Sequence, residues 1–387
     1  MSVVQEKPRL EGGQTGPYRV LVVDDSAVVR TMLSHWLDAD PDITVVGAAS
    51  DGIMAVDAAA RLNPEVILLD IEMPRQSGLT ALPDILRAVP DAKVIMVSTL
   101  TKAGAEISLQ ALSAGAADYI AKPQTGRADA AEGFRRDIFA KVKALGRSLR
   151  RTKDKASPPS ELKKPVPPKE EILNDPEAAA AAGLAFSLRR PTGIAPKIML
   201  IGASTGGPQA LMSLLSAWDM PPKLPVIITQ HMPAAFTTIM AQRLDSLGPT
   251  PCKEAEDEDV LRPGTVYLAR GGYHAVVEKR HGAPVLRLDE GSPENFCKPA
   301  VDPMFRSAAT VYGSGALGVV LTGMGHDGLA GARAIIDSGG TIVAQDQATS
   351  VVWGMPGAVA HAGLCTQVVP LKEMASVLQG LLSGVAS

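Results

Sequence analysis

Short apolar runs alternate with amphipathic stretches over the first third of the chain. Between the runs, apolar residues recur at helical spacing, as at Val29, Leu33, Trp36 and Leu37. The runs are rich in β-branched residues, as is typical of buried strands: residues 19–24, 43–48, 65–70 and 93–98, with a fifth ending near Ala121. Strands that alternate with helices predict a parallel sheet covered on both faces, with functional groups at the carboxyl ends of its strands.

The pattern divides the chain into two folded parts joined by a segment of different composition. We expect an N-terminal extension over residues 1–17, a first domain over 18–140, a linker over 141–196 and a second domain over 197–387. From residue 147 to residue 169 the linker has eight Lys or Arg against two Asp or Glu, a net charge of +6. Repulsion between like charges and several prolines predict an extended, mobile tether.

Composition excludes several classes of function. The 387 residues have a formal net charge of −3 and 4% aromatic residues, which argues against a nucleic-acid partner. Cys252, Cys297 and Cys365 are too few and too scattered for a disulfide framework or a four-thiolate zinc site, so we interpret them as buried small apolar residues. The N-terminus has no apolar segment of the signal-peptide type, so we expect a cytoplasmic protein with no membrane insertion.

Polar side chains follow four strands of the first domain. Asp24 and Asp25 follow the first strand, Asp70 ends the third, Ser98 ends the fourth, and Lys122 follows the fifth. Three carboxylates at one sheet edge repel one another unless a hard divalent cation such as Mg²⁺ neutralises them. A lysine and a hydroxyl beside them could bind an added phosphoryl group.

This constellation resembles the receiver domain of bacterial response regulators over roughly residues 18–140. The segment DIEMPRQSG (70–78) is similar to that family's loop after the acceptor, apart from Gln76 and Ser77. The resemblance implies a flavodoxin-like fold with a five-stranded parallel sheet.

The same resemblance implies a role for each polar residue at this edge. Three carboxylates would hold Mg²⁺, namely Asp24, Asp25 and Asp70, and Asp70 would also be the phosphoacceptor. Ser98 and Tyr119 would be the receiver's switch residues, and Lys122 would contact the phosphoryl group.

In the second part, an apolar strand runs into a turn of small residues. KIMLIG (197–202) leads into GASTGG, so residues 202–206 fit the strand–turn–helix pattern G-x-S-x-G that exposes a nucleophilic serine, here Ser204. The pattern is equally compatible with Ser204 acting only as a helix N-cap. Neither a G-x-G-x-x-G motif nor the lysine of a phosphate-binding loop is present here.

A serine nucleophile needs a base, and the base needs an acid that orients it. His231 ends the next apolar strand, and His326 and Asp327 end a third. His231 and His326 remain rival bases at this point, although Asp327 can orient a distant imidazole more readily than that of its own neighbour. The glycines around Met324 expose backbone N–H groups that could stabilise an oxyanion.

With GASTGG, QHMP and LTGMGHDG all in place, the second part resembles the catalytic domain of the chemotaxis protein-glutamate methylesterases. The order receiver, linker, esterase is similar to that family from end to end. The resemblance implies a doubly wound, Rossmann-like α/β domain with Ser204 as nucleophile, His231 as general base and Asp327 as its orienting acid. It also implies the Met324 amide as an oxyanion donor and Thr205 as a neighbour of the site.

The function implied by this resemblance is a serine esterase controlled by a receiver. It would hydrolyse glutamate γ-methyl esters of chemoreceptors to glutamate and methanol, and deamidate receptor glutamines. Mg²⁺ would serve the receiver only, and the ester chemistry would need no cofactor. Methyl-accepting chemoreceptors and a chemotaxis histidine kinase, as phosphodonor, are the expected partners. Two alternatives stay open: the same hydrolase chemistry on a receptor outside chemotaxis, and a non-enzymatic, phosphorylation-dependent binding module.

Overall fold

The computed structural model describes residues 16–123, 128–156 and 186–383. By its contacts the chain forms two compact units, residues 1–159 and residues 160–387. None of the helices in the described ranges combines the length and the apolar character needed to cross a bilayer.

In the first unit, five strands alternate with five helices, as the hydrophobic pattern predicts. The strands are β1 (Tyr18–Val23), β2 (Ile43–Ala49), β3 (Val66–Asp70), β4 (Lys93–Ser98) and β5 (Asp118–Ala121). The helices are α1 (Ala27–Asp38), α2 (Gly52–Leu62), α3 (Gly78–Ala88), α4 (Lys102–Ser113) and α5 (Ala128–Ala156).

The five strands form one parallel sheet in the order β2-β1-β3-β4-β5. The flavodoxin-like fold is thereby confirmed. Because helices cover both faces, β3 is buried at every position, which explains its uninterrupted apolar run. After β1 the chain adds β2 on one side of it and then β3, β4 and β5 on the other side. The topological switch point, where such folds bind ligands, therefore lies between β1 and β3. Asp24 and Asp70 lie at the ends of these two strands.

Helix α5 continues past residue 140 into the predicted linker, so the predicted boundary of the first domain falls inside a helix. Val142, Leu145 and Leu149 of this helix are buried at intervals of three and four residues. Charged residues between these positions, such as Lys143 and Arg147, obscure the apolar spacing in the sequence. Residues 157–185 of the predicted linker lie outside the described residues.

The second unit has a larger parallel sheet and a small antiparallel one. Its strands are β6 (Ile198–Ala203), β7 (Val226–Gln230), β8 (Cys252–Glu254), β9 (Asp259–Val260), β10 (Val266–Leu268), β11 (His274–Arg280), β12 (Ala283–Asp289), β13 (Ala316–Val320), β14 (Thr341–Gln345) and β15 (Gln367–Val369). Its helices are α6 (Gly207–Ser216), α7 (Ala234–Asp245), α8 (Val301–Tyr312), α9 (Leu329–Asp337), α10 (Met355–His361) and α11 (Leu371–Ser383).

The seven-stranded sheet has the order β15-β14-β13-β6-β7-β10-β8, and every pair in it is parallel. After β6 the chain first adds β7, β8 and β10 on one side of it, and later adds β13, β14 and β15 on the other side. The switch point therefore lies between β6 and β13. This doubly wound arrangement confirms the predicted Rossmann-like class, and Ser204 follows directly on β6.

The last part of the predicted linker, residues 186–196, packs against the second unit, and we call it the strap. The ring centroid of Phe186 lies 6.1 Å from those of Trp353 and His361. The Arg189 N–H donates to the Cys365 carbonyl at 2.8 Å. Trp353 itself packs beside the turn after β13, where it pairs with Gly323.

Candidate functional site

Ser204 lies in a tight turn between β6 and α6. Its N–H donates to the Thr322 carbonyl at 3.1 Å, which joins this turn to the end of β13. Gly206 has φ of +75° and is the N-cap of α6, so the interpretation of Ser204 as the N-cap is wrong. In the described ranges the half-buried Ser204 side chain makes no hydrogen bond, and its hydroxyl is available for chemistry.

The end of β7 supports this turn through Gln230. The Gln230 Nε2 donates to the carbonyls of Ser204 at 3.0 Å and of His231 at 3.3 Å. A Cβ at position 207 would collide with the Gln230 amide, which explains why a glycine follows Gly206. Gln230 thus fixes the backbone that carries two of the predicted catalytic residues.

His231 lies beside Ser204 because β6 and β7 are neighbours in register. Ala203 pairs with Gln230, and the His231 N–H donates to the Ala203 carbonyl at 3.1 Å. The His231 Nε2 is 2.7 Å from the Asp327 Oδ2. Since Nε2 is bound by this carboxylate, Nδ1 is the ring nitrogen left to act as a base.

Asp327 is a buried carboxylate that accepts five hydrogen bonds. Its Oδ1 accepts from three donors: Asn295 Nδ2 at 3.0 Å, Asp302 N–H at 3.1 Å and Gly328 N–H at 2.9 Å. Its Oδ2 accepts from the Val301 N–H at 2.6 Å and contacts His231. Burial alone would raise the pKa of Asp327, but these donors outweigh it and lower the pKa to about 2. Asp327 is therefore held as an anion at the right place to stabilise an imidazolium.

Cys297 contacts the ring nitrogen of His231 that Asp327 does not bind. Its Sγ lies 3.3 Å from His231 Nδ1. Burial alone would lower the pKa of His231, but the Cys297 sulfur and the Asp327 carboxylate outweigh burial and raise this pKa above the ordinary 6.5. The interpretation of the three cysteines as buried apolar residues holds for Cys252 and Cys365, whereas Cys297 is only half-buried.

His326, the rival base, is exposed on the turn after β13, and in the described ranges its side chain makes no hydrogen bond to Asp327. In the same turn the Met324 N–H makes no hydrogen bond within those ranges, so it can still donate one. The turn lies close to the serine, because a Cβ at Gly323 would come within 2.9 Å of the Ser204 Cβ. Thr205 is buried, and its carbonyl accepts a hydrogen bond from the side chain of Thr322 at 2.9 Å.

In the first unit the predicted carboxylates and lysine converge at one edge of the sheet. Carboxylate oxygens of Asp24, Asp25 and Asp70 lie within 4.8 Å of one another. The Lys122 Nζ is 2.9 Å from both the Asp24 Oδ2 and the Asp70 Oδ2. Ser98 lines the same cavity of about 170 Å³. Three converging oxygen donors fit the preference of Mg²⁺ for hard ligands.

The electrostatics of this edge favour a cation. Burial raises the pKa of Asp70 to about 6, with Asp24 adding to the rise and Lys122 opposing it. Burial alone would lower the pKa of Lys122, but its bonds to Asp70 and Asp24 raise it. The Tyr119 side chain is buried, with the Lys141 ammonium 5.4 Å from the ring centroid.

Four site residues were not identified from the sequence: Gln230, Asn295, Cys297 and Asp302. Gln230 stands next to His231 and could have been found as a polar residue at a strand end. The other three come from the loop after β12 and the start of α8, and no spacing in the sequence relates them to His231.

The chain is similar to known proteins over both of its units. The family model described as CheB methylesterase matches residues 199–378, and that of the response regulator receiver domain matches residues 20–129. Proteins named protein-glutamate methylesterase/protein-glutamine glutaminase from Rhodopseudomonas palustris (strain HaA2) and Maricaulis maris (strain MCS10) are each 47% identical to the chain. The alignments cover 97% and 92% of this chain and 97% and 93% of those relatives. The crystal structure of the Thermotoga maritima CheB methylesterase catalytic domain is 39% identical, with a TM-score of 0.47, and covers 49% of this chain and 100% of that one.

Proposed function

This chain belongs to the protein-glutamate methylesterase/protein-glutamine glutaminase family, and on that premise we propose that it is a phosphorylation-regulated serine esterase of chemotactic adaptation. Its substrates are the γ-methyl esters of glutamates on methyl-accepting chemoreceptors, and it also deamidates receptor glutamines. A chemotaxis histidine kinase supplies the phosphoryl group to the receiver.

The observation that carries the proposal is the contact of 2.7 Å between His231 and Asp327, beside a serine at the switch point of the sheet. Ser204 and His231 follow neighbouring strands at the same register position, so the serine lies next to the histidine. Asp327 is anionic and fully bonded, so it orients the ring and stabilises its charged form.

The reaction follows from these positions. The Ser204 Oγ attacks the ester carbonyl while His231 Nδ1 takes the hydroxyl proton, and the Met324 N–H donates to the developing oxyanion. The tetrahedral intermediate collapses to an acyl-enzyme, and the leaving methoxide receives the proton from His231 and departs as methanol. Water then attacks the acyl carbon, with His231 again as base, and glutamate is released. A glutamine substrate follows the same path with ammonia as leaving group.

Cys297 has to give way during the first step, because its sulfur lies at the ring nitrogen that the serine needs. Either the Cys297 side chain turns aside or the imidazole moves toward Ser204. The resting enzyme thus holds His231 in a contact that the substrate complex replaces.

In the receiver, Asp70 accepts the phosphoryl group, and Asp24, Asp25 and Asp70 would hold Mg²⁺. The bound cation would neutralise the charge that the phosphoryl group adds. Lys122 pairs with the phosphoryl oxygens instead of the two carboxylates, and the Ser98 hydroxyl donates to them. Tyr119 and Ser98 change position when the group is bound, and the esterase activity rises.

Methanol release from methylated chemoreceptor membranes tests the proposal, with and without a small phosphodonor and Mg²⁺. We expect release that rises with the phosphodonor, a rise that is absent in Asp70→Asn. A rate of methanol release that does not change with the phosphodonor would contradict regulation by the receiver. If a folded protein releases no methanol in either condition, the hydrolase acts on a different substrate or the chain is a binding module.

A further inference from the structure

The side chain of Gln230 is buried, and the two polar atoms of its amide have different surroundings. It is 1% exposed. Its Nε2 donates to the carbonyls of Ser204 at 3.0 Å and of His231 at 3.3 Å. Its Oε1 is buried and accepts no hydrogen bond in the part of the chain that the structure describes. A buried acceptor without a donor destabilises a fold and is rare in native proteins, so this one calls for an explanation.

The neighbours of the amide explain why Oε1 has no donor among the described residues. Two carbonyl oxygens lie on one side, so only the NH₂ group can face them, and the reverse orientation would set Oε1 against two acceptors. On the other side lies Gly207, where a Cβ would collide with Oε1. The Gly207 N–H donates to the Ser204 carbonyl at 2.7 Å and is therefore engaged. The amide thus keeps both bonds from Nε2, although this leaves its oxygen without a donor.

The two bonds from Nε2 extend the pairing of β6 and β7 beyond its last backbone bond. Ala203 pairs with Gln230, and the His231 N–H donates to the Ala203 carbonyl at 3.1 Å. From there Ser204 turns into α6, and the chain after His231 leads to α7. Because one NH₂ group binds the carbonyls of both residues, it ties the backbone of the predicted nucleophile to that of the predicted base where the strands end.

We propose that Gln230 is a positioning residue that sets the separation of Ser204 and His231 for the transfer of the serine proton. This inference rests on the proposed function and concerns its first chemical step. A nucleophile and its base have to come within hydrogen-bond reach, about 2.6–3.2 Å, and a displacement of about 1 Å costs on the order of a hundredfold in rate. Gln230 acts through the backbone of these two residues and takes no part in the reaction itself.

Two variants of Gln230 and one control separate positioning from packing. Gln230→Met keeps the length of the side chain and removes the amide, so the oxygen without a donor disappears together with the two bonds. Gln230→Glu keeps the shape, but its carboxyl group can donate to a carbonyl only when it is protonated. The control Thr366→Val removes another buried bond in the same domain, from the Thr366 hydroxyl to the Ile342 carbonyl at 2.9 Å. Thr366 lies just before β15, at the edge of the sheet opposite to Ser204.

Each variant is made in the full chain and compared with wild type in the presence of a small phosphodonor and Mg²⁺. The kcat and KM are measured on the small ester N-acetylglutamate γ-methyl ester, and kcat/KM is measured on methylated chemoreceptor membranes. Thermal unfolding gives Tm, and the small ester also gives the pH profile of kcat.

We expect Gln230→Met to lower kcat on the small ester roughly ten- to hundredfold with KM unchanged, and to lower kcat/KM on the receptor by the same factor. Its Tm should equal or exceed that of wild type, because the buried oxygen without a donor is gone. Thr366→Val should do the reverse and lower Tm by about 2–4 °C with kcat unchanged. The kcat of Gln230→Glu relative to wild type should fall as the pH rises, because the ionised carboxylate repels both carbonyl oxygens.

A kcat of Gln230→Met within twofold of wild type would overturn the inference. A Tm of Gln230→Met below that of Thr366→Val would also overturn it, because the loss of activity would then follow from a loss of packing. A relative kcat of Gln230→Glu that does not change with pH would contradict the role of the donated bonds. If wild-type enzyme hydrolyses neither substrate, the proposed function fails, and this inference fails with it. If wild-type enzyme hydrolyses both and Gln230→Met matches it, the inference alone fails.

Discussion

Replacing Asp327 by asparagine tests the site most directly, because the change keeps the shape of the side chain and alters only its charge and donors. The carboxylate accepts three hydrogen bonds on Oδ1 and two on Oδ2. An amide has one acceptor oxygen, so its NH₂ group has to replace one of the two carboxylate oxygens and face the donors that bind that oxygen. The better orientation points the oxygen at the three donors and the NH₂ at Val301 and His231.

The cost of this orientation follows from the contacts. The buried Val301 N–H loses its acceptor, which costs about 1–3 kcal/mol, and the remaining bonds lose the strength that the negative charge gives them. We therefore expect Asp327→Asn to lower the free energy of unfolding by about 2–4 kcal/mol. The NH₂ also requires His231 to accept at Nε2, so that the imidazole has its proton on Nδ1. That tautomer cannot take a proton from Ser204, and kcat should fall on the order of 10⁴-fold.

Asp302→Asn is the matched control. Asp302 is buried, lies next to Asp327 and shares the Asn295 donor, but it makes no hydrogen bond to His231 in the described ranges. Urea unfolding and initial rates of methanol release from a small γ-methyl ester should show a loss of stability for both variants and a large loss of kcat for Asp327→Asn alone. A kcat within tenfold of wild type for Asp327→Asn, or an equal loss for Asp302→Asn, would refute the assigned role.

Three further outcomes follow from the geometry of the two sites. Ser204→Ala should leave the unfolding temperature unchanged, because the hydroxyl makes no hydrogen bond in the described ranges, and should lower kcat on the order of 10⁴–10⁶-fold; methanol release above a hundredth of the wild-type rate would contradict this. Cys297→Ala should move the acidic limb of the pH profile of kcat/KM to lower pH, since the sulfur raises the pKa of His231. The control variant Cys252→Ala should leave this limb in place. Coincident profiles for Cys297→Ala and wild type would disprove the coupling between Cys297 and His231. Phosphorylation of Asp70 by a small phosphodonor should slow as the pH falls through about 6, because only the carboxylate is nucleophilic. A higher Mg²⁺ concentration should shift this fall in rate to lower pH, because the cation stabilises the anionic form of Asp70. A pH dependence that does not change with Mg²⁺ would contradict the proposed cation site.

The sheets could be predicted from the sequence because both of their faces are covered. Burial on both faces turns each central strand into an uninterrupted apolar run, and β3 and β6 begin and end within one or two residues of their predicted bounds. Polar residues at the ends of these runs then identified the receiver edge and the turn with Ser204. Helix α5 was cut short because its buried positions are separated by charged residues, so composition suggested a tether.

The choice between His231 and His326 could not be made from the sequence. The two histidines are both at strand ends, and only the three-dimensional contact with Asp327, 96 positions after His231, distinguishes them. Cys297 was assigned to the core for a related reason. It reaches the imidazole through a turn whose path depends on distant partners such as Arg306, and no local period in the sequence encodes such a path.

The strap changes where this enzyme can be divided into its modules. A catalytic fragment that begins at Lys197, where the apolar pattern resumes, would lack Phe186 and the backbone bond from Arg189 to Cys365. Trp353 would then be more exposed to water, and it is paired with Gly323 in the turn that bears the Met324 amide. Truncated forms, and fusions of this esterase to other regulatory domains, should therefore keep the chain from before Phe186, so that the junction belongs to the catalytic module.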